Sequence, residues 1–259
     1  MEYSENFSGW SDELTDLHEE AAADGHPIDV LSRDYAIEQI ENAAIDKPNV
    51  VMEIGCSSGY LIRDLLKKFP DATIIGADVV KAPLLRLARI LPNVPLLRFD
   101  LLQNPLPHSC VNTLVMLNVL EHIEKDISAL QMAFKLLKEE GVLIIEVPAG
   151  PYLYDSYDRE LNHYRRYSAQ ELTNKLKLVG FDVVRVSHLG FFIFPIFALV
   201  KCINKVRRKN QVVMNQAKKL QIVNCFHLLC GLNGSFLITL IFHLELELLS
   251  RLKNEKYFF

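Results

Sequence analysis

Between Asn49 and about Leu189, short apolar runs alternate with stretches of helical periodicity, and this alternation restricts the fold more than any other feature of the chain. "VVMEI", "TIIGAD", "PLLRFD", "VNTLVMLN", "GVLIIEV" and "FDVVRVSHL" are rich in Val, Ile and Leu and bounded by Pro, Gly, Asp or Asn, as strands are. Between them "YLIRDLLKKF", "APLLRLARIL", "DISALQMAFKLLKE" and "SAQELTNKLKLVG" repeat apolar residues at helical spacing, the last two stopped by Gly141 and Gly180. Strands that alternate with helices build a parallel sheet covered on both faces, so the expectation is a doubly wound α/β fold, mostly parallel, with helices on both sides.

Such a sheet places its ligand crevice outside the carboxyl ends of the strands, beside the first strand. Glu53 to Gly59, Asp78, Asp100 and Asn118 each close or follow a strand and are the candidates there. Gly55 permits a backbone conformation closed to bulky residues and Gly59 lets the next helix approach, while Ser57 and Ser58 leave room for a ligand against backbone N–H groups. Asp78 lies 19 residues after Gly59, near the offset at which an acid closing the second strand grips a ribose diol. The turn reads E-x-G-x-x-x-G, which is not the G-x-G-x-x-G dinucleotide fingerprint and disfavours a nicotinamide-linked oxidoreductase. A tight strand-to-helix connection without a ligand would use the same glycines.

Half of the 259 residues are hydrophobic, enough for one large core or a core with an appendage. The net charge of -4 argues against a nucleic-acid partner. Cys56, Cys110, Cys202, Cys225 and Cys230 are odd in number and contain no C-x-x-C pair, so neither a disulfide framework nor a metal site is expected, and the compartment reads as reducing. The acidic "MEYSENFSGWSDEL" lacks the basic start and apolar run of an export signal, which points to a cytoplasmic location.

In order and spacing, "VVMEIGCSSGYLIRDLL", "IIGADVV", "LLRFDLLQNPLP", "LVMLNVLEHIEKD" and "GVLIIEVP" resemble the successive motifs of class I S-adenosylmethionine-dependent methyltransferases, Rossmann-like enzymes. The branch it resembles includes quinone-biosynthesis enzymes and bacterial enzymes associated with envelope polysaccharides. The resemblance spans about Lys47 to Leu189 and implies S-adenosylmethionine as cofactor. It implies that Glu53, Gly55, Cys56, Ser57 and Gly59 hold the methionine part, with Ser57 where relatives carry glycine. It further implies that Asp78 binds ribose beside Val79, that Asp100 and Leu101 meet the adenine, and that Asn118 lies near the sulfonium and substrate. Methyl transfer needs alignment, exclusion of water and a proton acceptor when the nucleophile is a hydroxyl or amine. His122 and His163 are the candidate bases, His122 being equally suited to capping or packing.

The segment "PYLYDSYDRELNHYRRYSAQEL" follows the fifth strand on the ligand side and offers Tyr154, Tyr157, Tyr164, Arg165 and Arg166 to an anionic substrate. An alternative pairs those arginines with Asp155, Asp158 and Glu160. The flanks complete three zones, 1–46 as a helical cap, 47–189 as the cofactor domain and 190–259 as a hydrophobic and basic helical appendage. In the cap, one helix face with Leu14, Leu17 and Ala21 precedes a second helix over Asp34–Ala44, and His26 and Asp29 are placed at the site by the same resemblance. In the appendage, the apolar run Phe191 to Val200 is followed by seven Lys and Arg residues between 201 and 219, which suits peripheral attachment to an anionic membrane; ten apolar residues do not span one. Packing on the sheet or a homodimer interface would account for the same apolar surface. No convincing strand is expected after the sixth. The expectation is a methyltransferase acting on a small or lipid-linked acceptor, most simply at oxygen; a catalytically silent cofactor-binding assembly protein is the alternative.

Overall fold

The computed structural model describes residues 27–43, 50–189 and the strand 245–252. Helix α1 (Pro27–Ala43) is followed by β1 (Val50–Ile54), α2 (Tyr60–Lys68), β2 (Thr73–Asp78), α3 (Lys81–Ile90), β3 (Leu96–Arg98), β4 (Val111–Leu117), α4 (Asp126–Leu136) and β5 (Leu137–Pro148). Then come α5 (Ser156–Glu160), α6 (Ala169–Val179), β6 (Phe181–Leu189) and β7 (Glu245–Leu252). The strands form one sheet in the order β3-β2-β1-β4-β5-β7-β6. The first five are parallel, and β7 runs antiparallel between β5 and β6.

Alternation along the central strands assigns each residue to a face. Val51, Val115 and Ile144 point to one side, where they meet Ala36 and Ile40 of α1, Leu61, Ile62 and Leu65 of α2, and Leu84 and Leu87 of α3. Met52, Leu114, Met116, Leu143 and Ile145 point to the other, against Ala129, Leu130 and Ala133 of α4 and Leu172 and Leu176 of α6. Each fully buried side chain of this size contributes about 1.5–3 kcal/mol, which is why the central strands read as continuous apolar runs. Helix α1 is built into this core and begins at Pro27, seven residues before the Asp34 start expected from the sequence. Proline suits a first helical turn because its missing N–H would have no partner there.

Two expectations are corrected. Helix α4 ends at Leu136 and does not continue to Gly141; β5 begins at Leu137, with a shift of register against β4 between Val111 and Thr113. Glu140 takes a left-handed φ of 59° within this irregular stretch. Gly180 does terminate α6, with φ 112° and its N–H donated to the carbonyls of Leu176 and Lys177. The second correction is β7. "ELELLSRL" alternates with period two inside a longer apolar run, and it pairs with β5 from Val142↔Arg251 to Pro148↔Glu245 and with β6 from Phe181↔Leu252 to Leu189↔Glu245. The C-terminal zone is therefore not wholly helical, because its last apolar run satisfies two strand edges. The expected helix with Leu14, Leu17 and Ala21, His26, and the apolar and basic stretch 191–219 lie outside the described residues. Among the described residues, no helix is long and apolar enough to cross a membrane.

Leu248 pairs with both Ile145 and Val186, so Leu248→Pro deletes ladder hydrogen bonds at the centre of β7, whereas Glu245→Pro falls at the strand's first residue. The expected result is loss of the cooperative thermal transition for Leu248→Pro and a near-parental transition for Glu245→Pro, followed by circular dichroism.

Candidate functional site

β2, β1, β4 and β5 are adjacent in the sheet and parallel, so their carboxyl ends stand side by side where folds of this topology open a crevice. Glu53 shares register with Gly76 of β2 and Val115 of β4, and its side chain lies on the α1–α2 face of the sheet. It is 6% exposed, and its Oε2 is buried without a hydrogen-bond partner. Burial first, and the nearby Asp78 carboxylate second, push the Glu53 carboxyl well above its usual range.

After β1 the chain turns through Gly55, at φ 78°, where an added Cβ would lie 2.5 Å from Val119 Cγ2. Gly59, at φ 68°, admits Leu87 of α3 in the same way, 2.5 Å from where its Cβ would stand. Ser57 adopts φ 40°, a conformation that favours glycine, so serine keeps the shape of the turn at some backbone cost. The turn's N–H groups are largely spent inside the protein. Those of Gly55 and Cys56 donate to the Ala77 carbonyl at 2.8 and 3.1 Å, that of Gly59 to the Cys56 carbonyl at 2.7 Å, and that of Ser57 to Asp78 Oδ2 at 2.9 Å. The expectation that this turn offers N–H groups to a ligand is thereby corrected for these four residues. What it offers is an oriented carboxylate, because the Val80 N–H also donates to Asp78 Oδ1 at 2.9 Å. The Cys56 thiol is buried and held protonated by that burial, so it packs and does not react.

Asp100 uses Oδ1 to accept from the Leu102 N–H at 2.9 Å, while Leu101 is buried beneath it. Val79 places its carbonyl 3.2 Å from Arg98 Nε. Asn118 closes β4 with φ 53°, donating its N–H to the Glu146 carbonyl at 3.0 Å and its Nδ2 to Glu146 Oε1 at 3.2 Å. Ser32 of α1 donates to the same carboxylate at 2.8 Å. Glu146 is 1% exposed, and sequence reasoning missed it; its signal is an acid inside the apolar run "VLIIEV", the same anomaly that singles out Glu53 in "VVMEI". Asp29 belongs to α1, which also supplies Ser32.

A second group lies beside this crevice, where the short 3-10 turn Leu120–His122 after β4 meets the segment after β5. Glu121 is completely buried, neither carboxylate oxygen has a hydrogen-bond partner, and burial pushes its carboxyl up to about 8. Its Oε1 stands 3.9 Å from His122 Nε2, and the rings of His122 and His163 meet edge-to-face with centroids 4.6 Å apart. His163 Nδ1 lies 3.2 Å from Asp158 Oδ1. The candidate bases His122 and His163 are thus brought together.

The arginines are not presented to a ligand, which corrects their expected role. Arg166 is buried, its Nε donating to Asp158 Oδ1 at 2.6 Å and its Nη1 to the Ala149 carbonyl at 3.3 Å. Arg165 donates through Nη1 to Asp126 Oδ2 at 2.6 Å and through Nη2 to the Glu124 carbonyl at 2.7 Å. Asp126 also accepts from Lys175 and from the Tyr167 hydroxyl. The sequence alternative anticipated Asp158; Asp126 could not be found from spacing because it opens another helix. Tyr154 donates its hydroxyl to the His163 carbonyl at 2.8 Å, the Tyr164 N–H donates to the Glu121 carbonyl at 2.8 Å, and the side chain of Tyr164 is exposed. Burial raises the Tyr157 phenol, keeping it a neutral donor.

In the unfolded chain Glu53 ionises near its ordinary value of about 4.3, but in the ligand-free fold only at higher pH, so its penalty on stability grows as pH rises between the two. Glu53→Gln is expected to raise the melting temperature little near about pH 4 and progressively more as the pH rises above that in a thermal-unfolding series. Arg166→Ala leaves Asp158 charged and buried, and is expected to cost about 3–5 kcal/mol in denaturant unfolding.

Residues 31–186 match the model of a family described as a methyltransferase domain. A protein of Mycolicibacterium smegmatis named "Probable S-adenosylmethionine-dependent methyltransferase" is 30% identical over 138 residues, 51% of this chain and 52% of that protein. The malonyl-[acyl-carrier protein] O-methyltransferase of Halalkalibacterium halodurans is 27% identical over 121 residues, 44% of this chain and 45% of its own. The chain thus spans about half the length of the curated relatives it matches. In fold, it resembles an S-adenosylmethionine-dependent methyltransferase from Archaeoglobus fulgidus, with a TM-score of 0.54 and 14% identity over 85% of this chain and 94% of that one. Since the family model covers more than half of the sequence, this chain belongs to the methyltransferase domain family, and S-adenosylmethionine is the cofactor that its fold and relatives imply.

Proposed function

We propose that this chain transfers the methyl group of S-adenosylmethionine to an oxygen of a small or lipid-linked acceptor. The observation that carries the reading is the pair of acids at the ends of β1 and β2, Glu53 with a buried, unpartnered oxygen and Asp78 oriented by two backbone N–H groups. A buried carboxylate oxygen without a partner is costly unless a ligand supplies the donor or cation, and the amino-acid ammonium and sulfonium of this cofactor are such cations. The glycine turn and the acid 19 residues beyond it fit the cofactor's amino-acid and ribose parts.

When bound, the cofactor supplies a methyl group already activated by its sulfonium. In this reading Glu53, with the turn Gly55–Gly59, holds the amino-acid end, Asp78 accepts hydrogen bonds from the ribose hydroxyls, and Val79, Asp100 and Leu101 border the adenine. Asn118, fixed by Glu146, stands where donor and acceptor meet. Tyr154, Tyr157 and Tyr164 border the acceptor, while Arg165 and Arg166 hold the segment that carries them. The acceptor's proton passes to the His122 and His163 group. Oxygen is favoured because a hydroxyl needs such a base and because one relative is named an O-methyltransferase. Placement at the cytoplasmic face of a membrane rests on the apolar and basic sequence 191–219, and flotation with anionic vesicles tests it.

Calorimetric titration with S-adenosylhomocysteine should show tight binding to the parent. Asp78→Ala and Gly55→Val should weaken it at least about tenfold, or 1.4 kcal/mol, while circular dichroism shows both folded. Parental affinity in both folded variants would overturn the placement. Binding without transfer of isotopically labelled methyl to any component of a cell extract would favour an assembly protein that only binds the cofactor.

A further inference from the structure

We propose that Glu121, His122 and His163 form a binding site for one divalent transition-metal ion, of the chemistry of Zn²⁺. The cysteine count gave no reason to expect a metal, but the fold brings together a donor set that cysteine arithmetic does not examine. One carboxylate oxygen of Glu121, one ring nitrogen of His122 and one of His163 all lie within 4.8 Å of one another. Two imidazoles and a carboxylate with further positions open are a donor set suited to Zn²⁺ or Fe²⁺ and poorly suited to Mg²⁺, which prefers oxygen ligands.

Three further observations point to a cation. Glu121 is fully buried and both of its oxygens lack a hydrogen-bond partner, an arrangement that costs free energy in the ligand-free protein and is relieved by a bound positive charge. His122 Nε2 approaches Glu121 Oε1 to 3.9 Å, close enough to share an ion and too long for a hydrogen bond. His163 is oriented as metal-binding histidines are. Its Nδ1 faces Asp158 Oδ1 at 3.2 Å, leaving Nε2 for the ion, and Asp158 is in turn completely buried and held by Arg166 Nε at 2.6 Å and by the Asp155 N–H at 2.9 Å. A carboxylate behind the imidazole fixes the ring and makes the outward nitrogen a better ligand.

The backbone holds the three ligands together. Glu121 and His122 are adjacent on the turn after β4, and the Tyr164 N–H donates to the Glu121 carbonyl at 2.8 Å, tying that turn to the residue next to His163. Ligand atoms around tetrahedral zinc are about 3.3 Å apart, given bonds of about 2.0–2.1 Å, so side-chain rotations of about 1 Å would close the site without moving a strand. The side chains of His122 and His163 are 13% and 8% exposed, so a fourth position could still meet solvent or an acceptor. If methyl transfer is as proposed above, this ion would bind the acceptor oxygen and lower its pKa, taking the place of a histidine base; that clause rests on the preceding reading, whereas the metal site does not.

The test uses the full chain, stripped with a chelator, dialysed, and titrated with Zn²⁺ in a calorimeter, with bound metal counted by elemental analysis. One Zn²⁺ per chain is expected. Glu121→Gln, which keeps the shape of the side chain, and His163→Asn should each weaken binding at least about tenfold, and Asp158→Asn by about 10–100-fold through loss of ring orientation. Co²⁺ in place of Zn²⁺ should give visible ligand-field absorption that disappears in His163→Asn. If Glu121→Gln fails to fold, His122→Asn with His163→Asn replaces it. Absence of stoichiometric Zn²⁺ binding by the parent, or parental affinity in the folded ligand variants, would overturn the proposal. S-adenosylhomocysteine titrated into the same samples separates the two readings: metal bound without the nucleoside overturns only the proposed methyl transfer, and the nucleoside bound without metal overturns only this one.

Discussion

The structure depends on the burial of β1 on both faces. Val51 is closed in by α1 and α2, Met52 by the opposite layer, and both neighbours, β2 and β4, run parallel to it. The connections from β1 toward β2 and from β3 toward β4 leave in opposite directions, so the carboxyl end of β1 cannot be covered by a crossing helix. That end becomes a crevice by topology. A chain that must turn there immediately into α2 needs backbone conformations with positive φ, which Gly55, Ser57 and Gly59 supply.

Around the crevice the protein accepts a cost that its core otherwise avoids, the burial of carboxylates. Three solutions coexist. Asp78 and Glu146 are paid for by hydrogen bonds, the first from Ser57 and Val80 and the second from Ser32 and Asn118. Asp158 and Asp126 are neutralised by guanidinium and ammonium groups, the Asp158–Arg166 pair closing the segment 154–167 on itself and Asp126 tying that segment to α4. Glu53 and Glu121 retain buried oxygens without partners. Since an unpaired buried polar atom costs on the order of 1–3 kcal/mol, stability alone does not explain these two acids, one closing β1 and one in the turn after β4, and the cofactor and the metal ion proposed above would each supply the missing partner.

The segment after β5 combines aromatic with charged residues. Arginines among tyrosines on the ligand side of a sheet suggest an anion site, yet both are consumed within the fold. Their carboxylate partners are Asp126 of α4 and Asp158 of α5, 39 residues from Arg165 and 8 from Arg166. What the segment presents is its tyrosines and His163, held in place by ion pairs.

The residue pattern by itself determined the alternation of strands and helices, the two-faced burial of the sheet, the glycine turn and the acids at 53 and 78. Each of these follows from local periodicity or from the steric demands of one turn. Only tertiary structure decided that β7 inserts between β5 and β6, because its period-two signal sits inside a longer apolar run and its partners lie far away in the chain. It alone revealed Glu146 as the anchor of Asn118, converted Arg165 and Arg166 from binding groups into framework, and set Glu121 beside His122 and His163. The reason is common to all of these: the partner that fixes a buried charge is chosen by proximity in space, and sequence spacing carries no record of it.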